Sequence, residues 1–294
     1  MRILEGTSTE PVVTRKPRDD ELDVFGLTHP GKVRPENQDH FLLCSLRKEV
    51  AVHLTSLPGL DQISGGTERV AFLAMVADGV GGGMRGEEAS RLAVEAVTEY
   101  VTQSVRCYYS GSAEDEEFAR SLEDAAQRCH DEVVRRAGQE PESAGMATTL
   151  TLWLSVWPRS YLLQVGDSRC YMLRRGELIQ VSRDQTMAQE LVDLGVLTRE
   201  AASKTPLANT LSSSIGGSQT APLVTRFDPE WDSVGLLCSD GLTRHVSDER
   251  IRDRLRSMTS ARQACHDLLE DALDAGGEDN ITVLVGRMVR RDLE

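Results

Sequence analysis

The chain has 294 residues, which suits one or two domains with sizeable cores. Its 33 Lys and Arg stand against 47 Asp and Glu, a net charge of −14, so there is no basic surplus to neutralise phosphates and nucleic acid is disfavoured as a partner. No stretch approaches the roughly 20 apolar residues that span a bilayer, and the N-terminus lacks the apolar core of a signal peptide, so a cytoplasmic location without membrane contact is expected.

Residues 1–20 are polar and Pro-containing without periodicity, which reads as a flexible tail. Two strand-like segments between Val24 and Leu46 flank a loop from His29 to Asp39, and further strands are expected near 50–55 and 70–77. Ala89, Leu92, Ala93, Ala96, Val97, Tyr100 and Val101 recur at helical spacing, predicting an amphipathic helix over 87–105. A second helix is expected over 114–137, and the acidic run Glu114 to Glu117 suits its positive N-terminal dipole. The segments 148–156, 161–165, 170–174 and 177–181 read as consecutive strands of an antiparallel meander. Short helices at 187–194 and 198–203, strands at 222–228 and 234–239, helices at 248–257 and 260–274, and a last strand at 281–288 complete the chain. Strands in runs and helices in pairs favour an α+β fold with antiparallel sheets. The cysteines Cys44, Cys107, Cys129, Cys170, Cys238 and Cys265 lie far apart without zinc spacing and read as ordinary thiols.

Asp78, Asp167 and Asp240 each close an apolar, strand-like run, and Asp279 opens one. Carboxylates at the ends of neighbouring buried strands repel one another unless cations offset the charge, so the pattern suggests a hard-metal site.

The motifs around them are Arg34-x-x-Asn37-Gln38-Asp39, Asp78-Gly79-Val80-Gly81-Gly82, Gly145-Met146-Ala147-Thr148-Thr149, Gly166-Asp167-Ser168-Arg169, Ser239-Asp240-Gly241-Leu242 and Asp279-Asn280-Ile281-Thr282. Each alone is a weak signal. Together, in this order, they resemble the PP2C-type (PPM) metal-dependent serine/threonine protein phosphatases, in their bacterial form. The resemblance implies a four-layer αββα sandwich, two antiparallel β-sheets flanked by helix pairs, with the catalytic domain over 21–291 and a flap at about 186–214. It implies two Mn²⁺ or Mg²⁺ ions, about 3.5–4 Å apart, that activate a water for direct attack on phosphoserine or phosphothreonine. Asp78 would bridge them, the Gly79 carbonyl and the Asp240 and Asp279 carboxylates would complete their shells, and Asp167 would join Asp240 at a conditional third ion. Arg34 would bind the substrate phosphate through its paired donors. Asp39 would hydrogen-bond metal-bound water or orient Arg34. Partners would be phosphorylated proteins and an opposing serine/threonine kinase, with the enzyme a monomer.

Two positions depart from the family pattern. Gln38 stands where many members have Glu, and Val80 stands where eukaryotic members commonly have a histidine proposed as general acid. His29, His40 and His245 read as structural or exposed rather than as substitutes. The Gly81 to Gly83 run suits close backbone approach. The flap's Met187, Leu191, Leu194, Val196 and Leu197 are expected to pack onto the domain, and Trp153, Trp157 and Trp231 to be core or sheet-edge aromatics. The rival reading is a non-catalytic or dedicated regulatory protein of the same fold acting on a single phosphoprotein. Retention of Arg34 with Asp78, Asp240 and Asp279 argues against a bare scaffold, because burying such groups without a cation is costly.

Overall fold

The computed structural model describes residues 2–4, 15–49, 67–81, 84–104, 115–139 and 145–291. One sheet contains β1 (Arg2–Leu4), β3 (Asp39–Lys48), β4 (Glu68–Val80), β5 (Ala147–Thr148), β6 (Leu150–Val156), β7 (Arg159–Val165) and β10 (Leu223–Phe227). Its order is β1-β10-β7-β6-β4-β3, with β5 extending the pairing of β4. The other contains β2 (Leu22–His29), β8 (Arg169–Arg174), β9 (Glu177–Gln180), β11 (Val234–Cys238) and β12 (Ile281–Met288), in the order β2-β12-β11-β8-β9. All pairings are antiparallel except β1 with β10, which places Arg2–Leu4 within the first sheet although it falls in the stretch read as a tail.

Helices α1 (Met84–Ser104) and α2 (Asp115–Ala137) cover the outer face of the first sheet. Ala89, Ala93, Val97 and Val101 form the buried stripe of α1, at the spacing read from the sequence. Asp115, in the first turn of α2, accepts hydrogen bonds from Arg159 Nη1 at 2.7 Å and Tyr161 Oη at 2.8 Å, so this member of the acidic run anchors the helix to the sheet. On the second sheet lie α5 (Asp240–Thr243), α6 (Asp248–Ser257) and α7 (Ala261–Asp274). Between the sheets, Val76, Leu162, Cys170, Met172, Phe227, Leu237 and Leu284 make the inner core. A buried leucine there contributes about 1.5–3 kcal/mol relative to exposure, so this layer fixes how the sheets face each other. The sandwich is the four-layer arrangement the resemblance implied.

The stretch from Thr148 to Val181 is not one meander. Strands β6 and β7 pair in the first sheet and β8 and β9 in the second, and the chain crosses between sheets at Gly166-Asp167-Ser168. Gly166 has φ +102°, a conformation that L side chains rarely adopt, and it turns the chain out of the first sheet. The expected strand at 50–55 lies outside the described residues. Helices α3 (Met187–Asp193) and α4 (Arg199–Ser203) occupy the flap, with Thr186 and Thr198 as N-caps. Its apolar residues do not pack as expected: Met187, Leu194 and Val196 are exposed, and Leu191 and Leu197 only half-buried. Trp153 meets the Phe227 ring edge-on at 4.7 Å inside the sandwich.

Candidate active site

Asp78 sits near the end of β4, opposite Asp39 of β3 in the register. Its backbone is held from β5 and the residue after it. The Asp78 N–H donates to Thr149 Oγ1 at 3.0 Å, and its carbonyl accepts from Thr149 N–H at 2.9 Å and Thr148 Oγ1 at 2.8 Å. Thr149 Oγ1 also lies 2.8 Å from Ser168 Oγ, tying the crossing loop of Asp167 to the Asp78 strand. The Gly79 N–H donates to the Gln38 carbonyl at 3.2 Å.

The second sheet presents Asp240 as the first residue of α5, separated from the end of β11 by Ser239 alone, and Asp279 two residues before β12. Asn280 fixes the loop that carries Arg34: its Nδ2 donates to the carbonyls of Pro30 at 3.0 Å and Glu36 at 2.8 Å, and its Oδ1 accepts from Gln38 N–H at 2.9 Å. Asp39 joins the sheets. Its Oδ2 accepts from Ser239 Oγ and Thr282 Oγ1, each at 2.7 Å, while Oδ1 is buried without a hydrogen-bond partner among the described residues. Behind Thr282 the chain of donors continues through Thr28 Oγ1 at 2.8 Å to Asn37 Nδ2, 2.9 Å from Thr28. Of its two expected roles, orienting Arg34 has no direct contact behind it here, since the Arg34 guanidinium bonds to Asp279.

Burial raises the affinity of these carboxyls for protons, and their proximity raises it further. Asp39 is pushed up to about 7 by burial, opposed by its two hydroxyl donors and reinforced by Asp240 and Asp279. Asp78 is raised well above its ordinary range by burial, then by Asp39, Asp240, Asp167 and Asp279. Asp167 is pushed up to about 8 by burial, then by Asp240 and Asp184. Asp240 is raised by burial, offset by the Arg244 guanidinium and by a hydrogen bond with Asp78. The five aspartates named from the sequence thus share one electrostatic site at one end of the sandwich.

Two guanidinium groups enter it. Arg34 lays Nε on Asp279 Oδ1 at 2.8 Å and Nη2 on Oδ2 at 2.9 Å. Arg244 pairs with Asp240 and also places Nη1 2.8 Å from Asp279 Oδ2. In this arrangement no three described His, Cys, Asp or Glu side chains converge as a metal cage. The donor chemistry nevertheless fits hard divalent cations: the donors are carboxylate and carbonyl oxygens, the Asp78 and Asp240 carboxyls are both buried beside other aspartates, and Asp39 Oδ1 is a buried oxygen without a hydrogen-bond partner among the described residues.

Arg244 escaped the sequence reading, although its position four residues after Asp240 puts both on one helical face. Also missed was the fork of Arg169 on Asp184, with Nη2 to Oδ2 at 2.7 Å, which braces the segment after Asp167. Thr282 and Ser239 as donors to Asp39 could be found only by knowing which strands are neighbours. Val80 ends β4 and is 40% exposed. His40 Nδ1 lies 2.9 Å from Ser90 Oγ, His29 Nδ1 accepts from Gly31 N–H at 2.9 Å, and His245 Nε2 accepts from Glu278 N–H at 3.1 Å, so each imidazole has a structural partner. Gly82 and Gly83 lie outside the described residues.

Known proteins match this chain over most of its length. Serine/threonine protein phosphatase PstP of Mycobacterium tuberculosis is 35% identical over 222 residues, 76% of this chain but 41% of that relative, so the chain spans about two-fifths of its length. Serine/threonine phosphatase stp of Listeria monocytogenes is 32% identical over 222 residues, 75% of this chain and 85% of the relative. A crystal structure of the catalytic domain of PstP in complex with two manganese ions superposes with a TM-score of 0.69 at 30% identity, covering 92% of this chain and 99% of that one. A family model described as Protein phosphatase 2C matches residues 55–275. On that match the chain belongs to the protein phosphatase 2C family.

Proposed function

We propose that this protein is a metal-dependent protein serine/threonine phosphatase. The supporting observation is the meeting of Asp39 and Asp78 from one sheet with Asp240 and Asp279 from the other, beside the paired donors of Arg34. Residues 21–291 form the catalytic domain, with 186–214 as its flap. Asp78, Asp240, Asp279 and the Gly79 carbonyl would hold two Mn²⁺ or Mg²⁺ ions, and Asp167 with Asp240 would take a third. When bound, the ions lower the pKa of an attacking water and offset charge developing on the phosphoryl oxygens.

Arg34 presents its Nε and Nη2 fork to two phosphate oxygens, a geometry it already shows on the Asp279 carboxylate. Asp39 stays in place under its Ser239 and Thr282 donors, and its Oδ1 is left with the capacity to accept from a water in the site. Val80 has no proton to give, so the departing serine or threonine oxygen takes its proton from solvent in the site. The substrates are phosphorylated proteins, the opponent a serine/threonine kinase, and the enzyme acts as a cytoplasmic monomer. No described helix is long and apolar enough to cross a membrane.

The test is phosphate release from a phosphothreonine peptide with Mn²⁺ and with excess chelator, in wild type, Asp78→Ala and Asp240→Ala. Activity should need Mn²⁺ and fall by at least about a hundredfold in both variants. Full activity in chelator, or in both variants, would refute the mechanism.

A further inference from the structure

We infer that Arg244 is an exchangeable counter-cation: its guanidinium neutralises Asp240 and Asp279 in the metal-free chain, and divalent cations entering the site displace it. The inference rests on the proposed metal site and concerns what occupies its ligands beforehand. Arg244 is the C-cap of α5, and its N–H donates to the Asp240 carbonyl at 2.9 Å, which holds its side chain on the same face as that carboxylate. From there it spans two of the proposed ligands, Asp240 and Asp279. Arg34, by contrast, is hydrogen-bonded to Asp279 alone among the described carboxylates.

Oxygen lone pairs decide the competition. Arg34 occupies Oδ1 and Oδ2 of Asp279, and Arg244 adds a second donor to Oδ2 while also engaging Asp240 Oδ2. A cation needs those same oxygens, and a guanidinium cannot yield by losing its proton. It must move. The Asp240 and Asp279 side chains are 14% and 18% exposed, whereas Arg244 is 35% exposed, so the mobile partner is the one already near solvent. Exchange replaces one positive charge by two on each ion, a gain for carboxyls that repel one another while buried.

The two states give Arg244 variants effects of opposite sign. In metal-free protein, removing the guanidinium leaves Asp240 and Asp279 less compensated and lowers the melting temperature. In a metal titration, the same change removes a competitor and tightens binding. Mn²⁺ is titrated calorimetrically at fixed ionic strength into chelator-stripped wild type, Arg244→Gln and Arg244→Lys, and each metal-free form is melted. Arg244→Gln should bind Mn²⁺ about tenfold more tightly and melt lower without metal, with Arg244→Lys between, since an ammonium lacks the fork. A purely structural arginine would lower stability without improving Mn²⁺ affinity, and unchanged or weaker binding by both variants overturns the inference. If none of the three takes up Mn²⁺, the metal reading itself fails and this inference falls with it.

Discussion

Gly241 shows how little room a single residue has in this site. A Cβ built there would lie 2.0 Å from the Asn280 carbonyl oxygen and 2.9 Å from its carbon, and backbone atoms cannot rotate away as a flexible side chain can. Alanine must therefore push α5 away from the segment 279–281, and those two pieces carry Asp240 and Asp279. Overpacking of this kind costs about 1–3 kcal/mol. Activity should fall further than stability, because misplacing a reacting group by about 1 Å can cost about a hundredfold in rate. We expect Gly241→Ala to remain folded at 25 °C while losing at least about a hundredfold in kcat/KM on a phosphopeptide. Near-normal turnover would mean the two aspartates need not be held together. The same tightness explains Asp39: its register partner in the first sheet is Asp78, yet its hydrogen bonds come from Ser239 and Thr282 of the second.

Elements were more legible in the sequence than their neighbours. The run 281–288 and the helix over 248–257 stand as read, because period 2 and period 3.6 are local properties of one segment. Sheet membership is not local: nothing in 161–174 states that β7 and β8 belong to different sheets, and only the φ of Gly166 reveals the turn between them. Four of the aspartates were legible as a set because each stands at the end of an apolar run, and the family pattern then gave them roles, while Arg244 was hidden by a side-chain direction that no motif specifies. Neither did the sequence show that α6 and α7 are clamped through Asp271. Arg254 places Nε and Nη2 at 2.7 and 2.8 Å from its two oxygens, and Arg250 does the same at 2.8 and 2.7 Å. Arg254 first, then Arg250, holds this carboxyl well below the usual carboxylate range. A depressed folded pKa stabilises the fold above the unfolded value of about 3.9 and loses that contribution as pH falls through it towards the folded pKa. Comparing urea midpoints of wild type and Asp271→Asn between pH 7 and pH 3, the wild-type advantage should be full at pH 6 and shrink below about pH 4. An advantage constant across that range would show that the charge of Asp271 is not what clamps the helices.

Among the described residues, two sheets bring their aspartates to one candidate site at one end of the sandwich. At the other end lies a cavity of about 130 Å³ whose lining includes Phe72, Trp153, Gly235 and Leu284. Fewer buried contacts make local opening easier, so exchange with solvent should begin at the cavity end. Across the site, carboxyls from both sheets face one another, and burial plus repulsion raises Asp78 and Asp240 above their ordinary range. Cations bound between them would tie the first sheet to the second. At a concentration about a hundred times its dissociation constant, such a ligand stabilises the folded state by about 2.7 kcal/mol. The distribution of that effect is the sharper test of a site shared by both sheets. In native-state hydrogen exchange, saturating Mn²⁺ should slow amides at the site ends of β4 and β12 together, around Ala77 and Val283. Amides around Val70 and Arg287, beside the cavity, should change little. In Asp240→Asn both protected groups should lose most of the slowing, although only one of those strands adjoins the mutated segment in its own sheet. Protection confined to β11 and β12 would place the ions on one sheet and leave Asp78 outside the centre.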